Sequence, residues 1–430
     1  MSAHSPFLLK LYRGGLAALE PAAAGLLLWR QRKGKEDRAR LQERRGWATH
    51  GRPTGQLAWL HGASIGETLS LMPVVEQLMV RGIEVLVTSG TRTSAEVLAR
   101  RLPPGAMHQF VPLDVPRYVQ RFLDHWQPDL VLFAESEVWP NIIMELEQRS
   151  IPLVLVNARL SERSYQRWSR LPQVARALFQ RFALCIAQSA DDAERLARLG
   201  ASRVSVAGNL KFDAPPPPAD PRALARLSGL VAGRPLWLAA STHPGEEDMI
   251  VDVHRALMER FPDLLTIIAP RHPHRGAEAA DIASSAQLSV ARRSGQESPS
   301  RDVDVYLADT VGELGLFYRL SPLVFMGGSL VPHGGQNPIE PVKLGSAILH
   351  GPHVHNFTDV YRALDRAGGA LPIPNSPTLV RALAELLADP RLAREMSRAA
   401  GETVDNLGGG VARTMQSIEP FILQMKLEAR

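Results

Sequence analysis

One cysteine in 430 residues, Cys185, leaves nothing from which to build a disulfide framework. The chain must therefore be held by an ordinary apolar core, and a reducing compartment suits it. No apolar run reaches the roughly 20 residues a bilayer requires. The N-terminal stretch PFLLKLYRGGLAALEPAAAGLLLW comes nearest, and Lys10, Arg13, Glu20 and Pro21 interrupt it. Charge of one sign is scarce outside one place: Arg30 to Arg45 holds eight basic and three acidic residues, a surplus equal to the whole chain's +5. The remainder is balanced, which argues against a nucleic-acid-binding body and for a single cationic surface. A cleaved signal peptide is not expected, because the charge follows the apolar region instead of preceding it. No Walker lysine motif, Gly-x-Ser-x-Gly elbow or dinucleotide fingerprint follows a strand. His272/His274 and His353/His355 are spaced i, i+2 in turn contexts without cysteine or carboxylate partners, and Asp302-Val303-Asp304 precedes a strand, so no metal site is expected.

What is present begins with that N-terminus. Trp29 followed by Arg30, Arg32, Lys33 and Lys35 has the pattern of an aromatic belt with positive charge on the cytoplasmic side. Residues 1–45 are expected to lie on a membrane surface without spanning it. The competing reading is a helix that packs on the protein.

From Leu57 onward, short β-branched runs alternate with amphipathic helices, the signature of a parallel α/β sheet. QLAWLHG, IEVLVTSG, HQFVPLD, DLVLFAE, IPLVLVNA, LCIAQS and RVSVAG read as the strands of a first domain, 46–213. Pro215 to Pro218 and Pro221 can be neither helix nor central strand, so 214–222 reads as a stiff linker. PLWLAAST, LLTIIAP, DVYLADT, PLVFMGGS and SAILHGP then open a second series, 223–430, closing in helices. The expected fold is α/β, two Rossmann-like domains facing across a cleft.

Candidate chemistry gathers at strand ends. After the first strand, HGASIGE places Glu67 in the opening turn of a helix, where it either caps that helix or serves as a general base. AESEVWPN, NARLS and GNLKFD end later strands and bring Glu135, Glu137, Arg159 and Lys211 to the same rim. In the second series, STHPGEE offers hydroxyls and a helix opening where a phosphate could sit, and Arg271 in PRHP could pair with it. Asp309 to Leu314 ends a third strand. LVFMGGSLVPHGGQNPIEPVKLG is the most specific stretch: Gly327, Gly328, Gly334 and Gly335 permit close backbone approach, Asn337-Pro338 is expected to open a helix, and Glu340 could accept hydrogen bonds from a ribose diol.

Taken in order, HGASIGE, AESEVWPN, NARLSERS, GNLKFD, ASTHPGEE, PRHP, DTVGEL, FMGGSLVPHGGQNPIEP and GPHVHNF resemble the 3-deoxy-D-manno-octulosonic acid (Kdo) transferases of lipid A assembly over nearly the whole chain. The resemblance implies a B-type glycosyltransferase fold and transfer of Kdo from CMP-Kdo to the 6′-hydroxyl of a lipid A precursor, lipid IVA. The transfer would invert the anomeric centre and take place at the cytoplasmic face of the inner membrane. It implies Glu67 as proton acceptor, with Glu135 and Lys211 assisting the transition state. Pro270, Arg271, Gly312, Glu313, Leu314, Asn337, Pro338, Ile339 and Glu340 would hold the CMP portion, with no cofactor, metal or nucleic acid. Gln336 stands where many members have histidine, and Val354-His355 departs from a more usual Thr-Phe. A nucleotide-sugar epimerase on the same architecture, or a non-catalytic nucleotide- or lipid-binding protein, are the competing classes.

Overall fold

The computed structural model describes residues 6–428 and divides into two compact units, Met1–Ala214 with Leu407–Arg430, and Pro215–Asn406. Each is built on a seven-stranded, wholly parallel sheet. The first sheet comprises β1 (Leu57–Gly62), β2 (Glu84–Ser89), β3 (Met107–Phe110), β4 (Leu130–Ala134), β5 (Leu153–Ala158), β6 (Leu184–Ala187) and β7 (Val204–Val206), in the order β3-β2-β1-β4-β5-β6-β7. The second comprises β8 (Leu236–Thr242), β9 (Leu265–Pro270), β10 (Val290–Arg292), β11 (Val305–Leu307), β12 (Leu323–Met326), β13 (Ala347–His350) and β14 (Ala370–Pro372), in the order β10-β11-β9-β8-β12-β13-β14.

Every residue of β1, β4, β5, β8, β9 and β12 is buried. Helices cover both faces, which is why these strands read as continuous apolar runs instead of alternating ones. In the first unit, Trp59, Val131 and Phe133 face one helical layer, where Phe122, Ile142 and Phe179 pack, while Ala58, Leu60 and Leu132 face the other, where α3 (Ile65–Val80) supplies Leu71, Val74 and Leu78. In each sheet the connection reverses direction at one place, between β1 and β4 and between β8 and β12. Side chains there stand clear of crossover connections, so a ligand has room at the carboxyl ends.

Two expectations of domain anatomy need correction. The last helix, Gly410–Glu428, belongs to the first unit and not to the second: Met415, Ile418, Ile422 and Met425 are buried in the layer beside α3, and Asp213 accepts the N–H groups of Gly409 and Val411. The proline segment belongs to the second unit and is not a free linker. Arg319 donates to the Pro217 carbonyl at 2.7 Å, and a Cβ on Gly315 would stand 2.4 Å from the Pro217 and Pro218 oxygens.

At the N-terminus, residues 1–5 of the expected anchor lie outside the described residues. Beyond them, α1 (Phe7–Ala18) and α2 (Glu20–Arg32) each bury one leucine, Leu9 and Leu27. Tyr12 donates to buried Asp114 and Arg13 pairs with Glu145, so the hairpin is fixed to the first unit while Phe7, Leu11, Leu26, Leu28 and Trp29 remain exposed. No helix among the described residues is long and apolar enough to cross a membrane. The basic segment that follows is partly turned inward. Arg30 and Arg44 share Glu36, Arg40 holds buried Glu43, and Arg44 is itself buried.

Because Ile418 is fully buried in the first unit, Ile418→Ala is expected to cost about 2–5 kcal/mol. The cost should appear as a lower midpoint in thermal unfolding followed by calorimetry.

Candidate active site

In the first unit, four strand ends assemble one rim. Leaving β1, the chain turns through Ser64, whose side chain caps α3 by accepting from the Glu67 N–H, while the Glu67 carboxylate reaches back. One oxygen accepts from the Ala63 N–H at 2.8 Å and the other from the Ser64 hydroxyl at 2.8 Å. This reciprocal cap satisfies donors that a helix start otherwise leaves orphaned. Gly62 makes the turn possible, because a Cβ there would stand 2.9 Å from the Thr68 nitrogen and 3.0 Å from the Glu67 Cβ. The two readings of Glu67 are thus compatible in geometry: it caps its own helix and is held in a fixed orientation at the switch point. Burial pushes its carboxyl above the usual carboxylate range, and repulsion from Glu135 and Glu137 adds to this, against the hydrogen bonds from Ser64 and Ala63.

Glu135, directly after β4, sits in the left-handed region at φ 54° and receives Lys211 Nζ at 2.7 Å. Lys211 is placed by the neighbouring strand end: Asn157, at φ 52° in the last residues of β5, accepts from the Leu210 N–H, and Asn209 accepts from the Lys211 N–H. Glu137 accepts from the Trp139 indole at 2.7 Å and lies 3.5 Å from Nε2 of fully buried His61, whose Nδ1 is within 2.9 Å of the Thr88 hydroxyl. The structure therefore brings Glu67, Glu135 and Lys211 together, along with His61 and Trp139, which sequence reasoning passed over. Nothing in the spacing of His61 distinguished it from the rest of an apolar strand.

In the second unit, the first turn of the helix Glu246–Met258 carries Glu246, Glu247 and Asp248, whose charge disfavours a phosphate there. Buried Glu246 accepts from the N–H groups of His243, Gly328, Ser329 and Leu330 at 2.6–3.0 Å. The glycine turn after β12 is thereby closed onto a protein carboxylate, and a Cβ on Gly327 would stand 2.4 Å from the Ser241 carbonyl. Close approach is real, but the partner is the chain's own backbone. The Thr242 hydroxyl is taken by Glu247, which also pairs with Arg275 at 2.8 Å. A phosphate would have to be met by other groups.

Those groups stand at the neighbouring strand ends. Arg271 follows buried Pro270, its backbone N–H donating to the Thr242 carbonyl, and its side chain is exposed. His243 and His333 lie ring over ring with centroids 3.7 Å apart, His272 is 6.3 Å from His243, and Gln336 Nε2 is 3.1 Å from His243 Nε2. Burial, with the neighbouring imidazoles and arginines, pushes His243 down to about 4, so this imidazole is neutral at physiological pH. Glu313 is held by both nitrogens of Arg293, at 2.6 and 3.0 Å, leaving Gly312 open at φ 84° and Leu314 starting a helix of only seven residues. Asn337 accepts from the Ile339 N–H in a turn, and the helix expected at Asn337-Pro338 is four residues, Ile339–Val342, with Pro338 before it and Glu340 in its first turn. These positions share the carboxyl edge of one sheet, next to its switch point. Among the described residues, no group of three or more His, Cys, Asp or Glu side chains is placed to hold a metal ion.

Two parallel seven-stranded sheets, with carboxylates and a lysine at the switch point of one and arginine, imidazoles and an Asn-Pro turn at that of the other, define a glycosyltransferase of the B-type fold. Solved structures agree on the fold: a glycosyltransferase from Rickettsia africae covers 86% of this chain and 99% of its own at a TM-score of 0.58 and 12% identity. A UDP-GlcNAc 2-epimerase from Neisseria meningitidis bound to UDP-GlcNAc covers 86% and 100% at 0.55 and 15% identity. At such identities the likeness shows architecture alone. The 3-deoxy-D-manno-octulosonic-acid transferase family model matches residues 39–214. A curated 3-deoxy-D-manno-octulosonic acid transferase from Haemophilus influenzae is 34% identical over 395 residues, 90% of this chain and 92% of its own. The chain belongs to the 3-deoxy-D-manno-octulosonic acid transferase family.

Removing the carboxylate that closes the glycine turn leaves four buried N–H groups without an acceptor. Glu246→Ala is expected to cost several kcal/mol, on the order of 1–3 for each group left dry. Amide hydrogen exchange at Gly328, Ser329 and Leu330 should accelerate more than exchange in β8.

Proposed function

We propose that the protein transfers Kdo from CMP-Kdo to the 6′-hydroxyl of a lipid A precursor such as lipid IVA, in lipopolysaccharide core biosynthesis, with inversion at the anomeric carbon. The observation that carries the reading is Glu67: a carboxylate with both oxygens oriented, at the switch point of the unit that matches the family model, beside the Glu135–Lys211 pair. A fixed carboxylate with raised proton affinity suits a general base.

In this mechanism Glu67 takes the proton of the acceptor hydroxyl as its oxygen bonds to the anomeric carbon of Kdo. The bond from that carbon to the phosphate oxygen of CMP breaks on the opposite face, and its electron pair leaves with CMP. Lys211, held by Glu135, offsets negative charge on the Kdo carboxylate or the acceptor. The second unit holds the CMP portion through Pro270 and Arg271, Gly312 to Leu314, and Asn337 to Glu340, with Arg271 meeting the departing phosphate. The hairpin of α1 and α2, with Phe7, Leu11, Leu26, Leu28 and Trp29 exposed and Lys33 over the Trp29 ring at 4.7 Å, rests on the cytoplasmic face of the inner membrane.

Glu67→Gln keeps the shape of the cap and removes the base. Kdo transfer to lipid IVA, read by product mass, is expected to fall by about 10²–10⁴, while CMP affinity measured by calorimetry stays within about twofold, a change small on the affinity scale. Retained turnover removes Glu67 from this role.

The raised carboxyl predicts the pH dependence. The deprotonated form is the active one, so kcat/KM should fall as pH drops through a value above the ordinary 4.5 of a glutamate. An acid limb at or below 4.5 contradicts the assignment.

A further inference from the structure

The charge count of the sequence points to residues 30–45 as the one cationic surface, yet three of those arginines are spent on Glu36 and Glu43. A different element carries unspent charge. In the helix Glu162–Ser169 and its C-cap, Arg163, Arg167 and Arg170 recur at spacings of four and three, which places them on one helical face. All three are exposed, and among the described residues none of them has a side-chain hydrogen bond or ion pair; the lone acid of this helix, Glu162, is taken by Arg195. Most nearby arginines behave otherwise: Arg149, Arg181, Arg195 and Arg198 all sit on carboxylates. The opposite face of the helix is anchored, with Tyr165 and Trp168 packing on the core layer that also receives Leu9 of α1. Exposed Leu171 follows the stripe. The exposed apolar side chains of α1 and this arginine row therefore belong to one side of one sheet.

We propose that Arg163, Arg167 and Arg170 form a second membrane contact, docking on the phosphates of an anionic phospholipid surface, on the same side of the sheet as the apolar hairpin. From Arg163 to Arg170 the helix rises about 10 Å, and guanidinium groups bind phosphate through paired hydrogen bonds. The stripe supplies electrostatic attraction and the hairpin supplies apolar burial, the two signals that together give stable surface attachment. The inference rests on the membrane reading of the N-terminal hairpin and is independent of the role of Glu67.

The test is flotation of the full-length protein with phosphatidylcholine vesicles prepared with and without phosphatidylglycerol. Each basic residue near an anionic surface contributes roughly fivefold to binding, so the triple variant R163Q/R167Q/R170Q is expected to bind anionic vesicles on the order of a hundred-fold more weakly at low salt. Binding to neutral vesicles should not change, and the triple Arg→Lys variant should bind anionic vesicles nearly as the parent does. An R163Q/R167Q/R170Q protein that binds anionic vesicles as well as the parent overturns the proposal while leaving the hairpin reading intact. Absence of parental binding to either vesicle removes the membrane reading itself. If vesicle binding persists in the Gln variant but KM for detergent-dispersed acceptor rises, the stripe is a subsite for acceptor phosphate and the membrane contact is wrong.

Discussion

Burial of the central strands on both faces is the constraint from which the rest follows. A parallel strand covered by helices above and below has no solvent side, so polar side chains along β1, β4, β8 and β12 either find partners inside the sheet or move to its end. His61 and Thr88 take the first course, paired to each other beneath the rim. Glu67, Glu135, Asn157 and Lys211 take the second. The concentration of chemistry at the carboxyl edge is a property of the architecture before it is a property of any reaction, and the reversal of direction beside β1 and β8 decides where along that edge there is space.

The two rims solve opposite electrostatic problems. In the first unit, three glutamates crowd at adjacent strand ends. The crowding is relieved by Lys211 at Glu135 and by the Trp139 indole at Glu137, while Glu67 keeps only backbone and hydroxyl donors. Glu67, like Glu137, has no lysine or arginine partner, which fits the proton-accepting role proposed for it. In the second unit, a buried carboxylate from the start of one helix satisfies the amides of the neighbouring glycine turn, so the turn is rigid before any nucleotide arrives. What remains for a ligand is side-chain chemistry: an exposed arginine, the neutral imidazole of His243 and the Asn337 turn.

Much of this was legible in the sequence because parallel sheets write themselves as β-branched runs. Twelve strands were readable from runs such as LAWLHG and LTIIAP. The two that were not, β10 and β14, are three-residue edges whose pairing is decided by neighbours and not by their own composition. The last helix was assigned to the wrong unit because amphipathicity says that a helix packs, not on what. The arginine row escaped notice because its four-and-three spacing lies in a segment whose overall composition is unremarked, whereas the Arg30–Arg45 cluster is dense but largely self-neutralised. The glycine turn was correctly seen as a place of close approach, yet the sequence did not reveal that Glu246, some eighty positions earlier, fills it. Long-range hydrogen bonds of that sort leave no local trace.

The return of residues 407–430 to the first unit has a consequence for biosynthesis. The second unit interrupts the first in the chain, so Met415, Ile418, Ile422 and Met425, which seal one side of the first sheet, leave the ribosome only after the whole of the second unit. Until they emerge, the apolar layer beside α3 stays uncovered, and a nascent chain that terminates within the second unit keeps it uncovered. Synthesis of the inserted unit thus precedes closure of the first unit's core, and products truncated within it carry a sticky surface by which quality-control factors can recognise them.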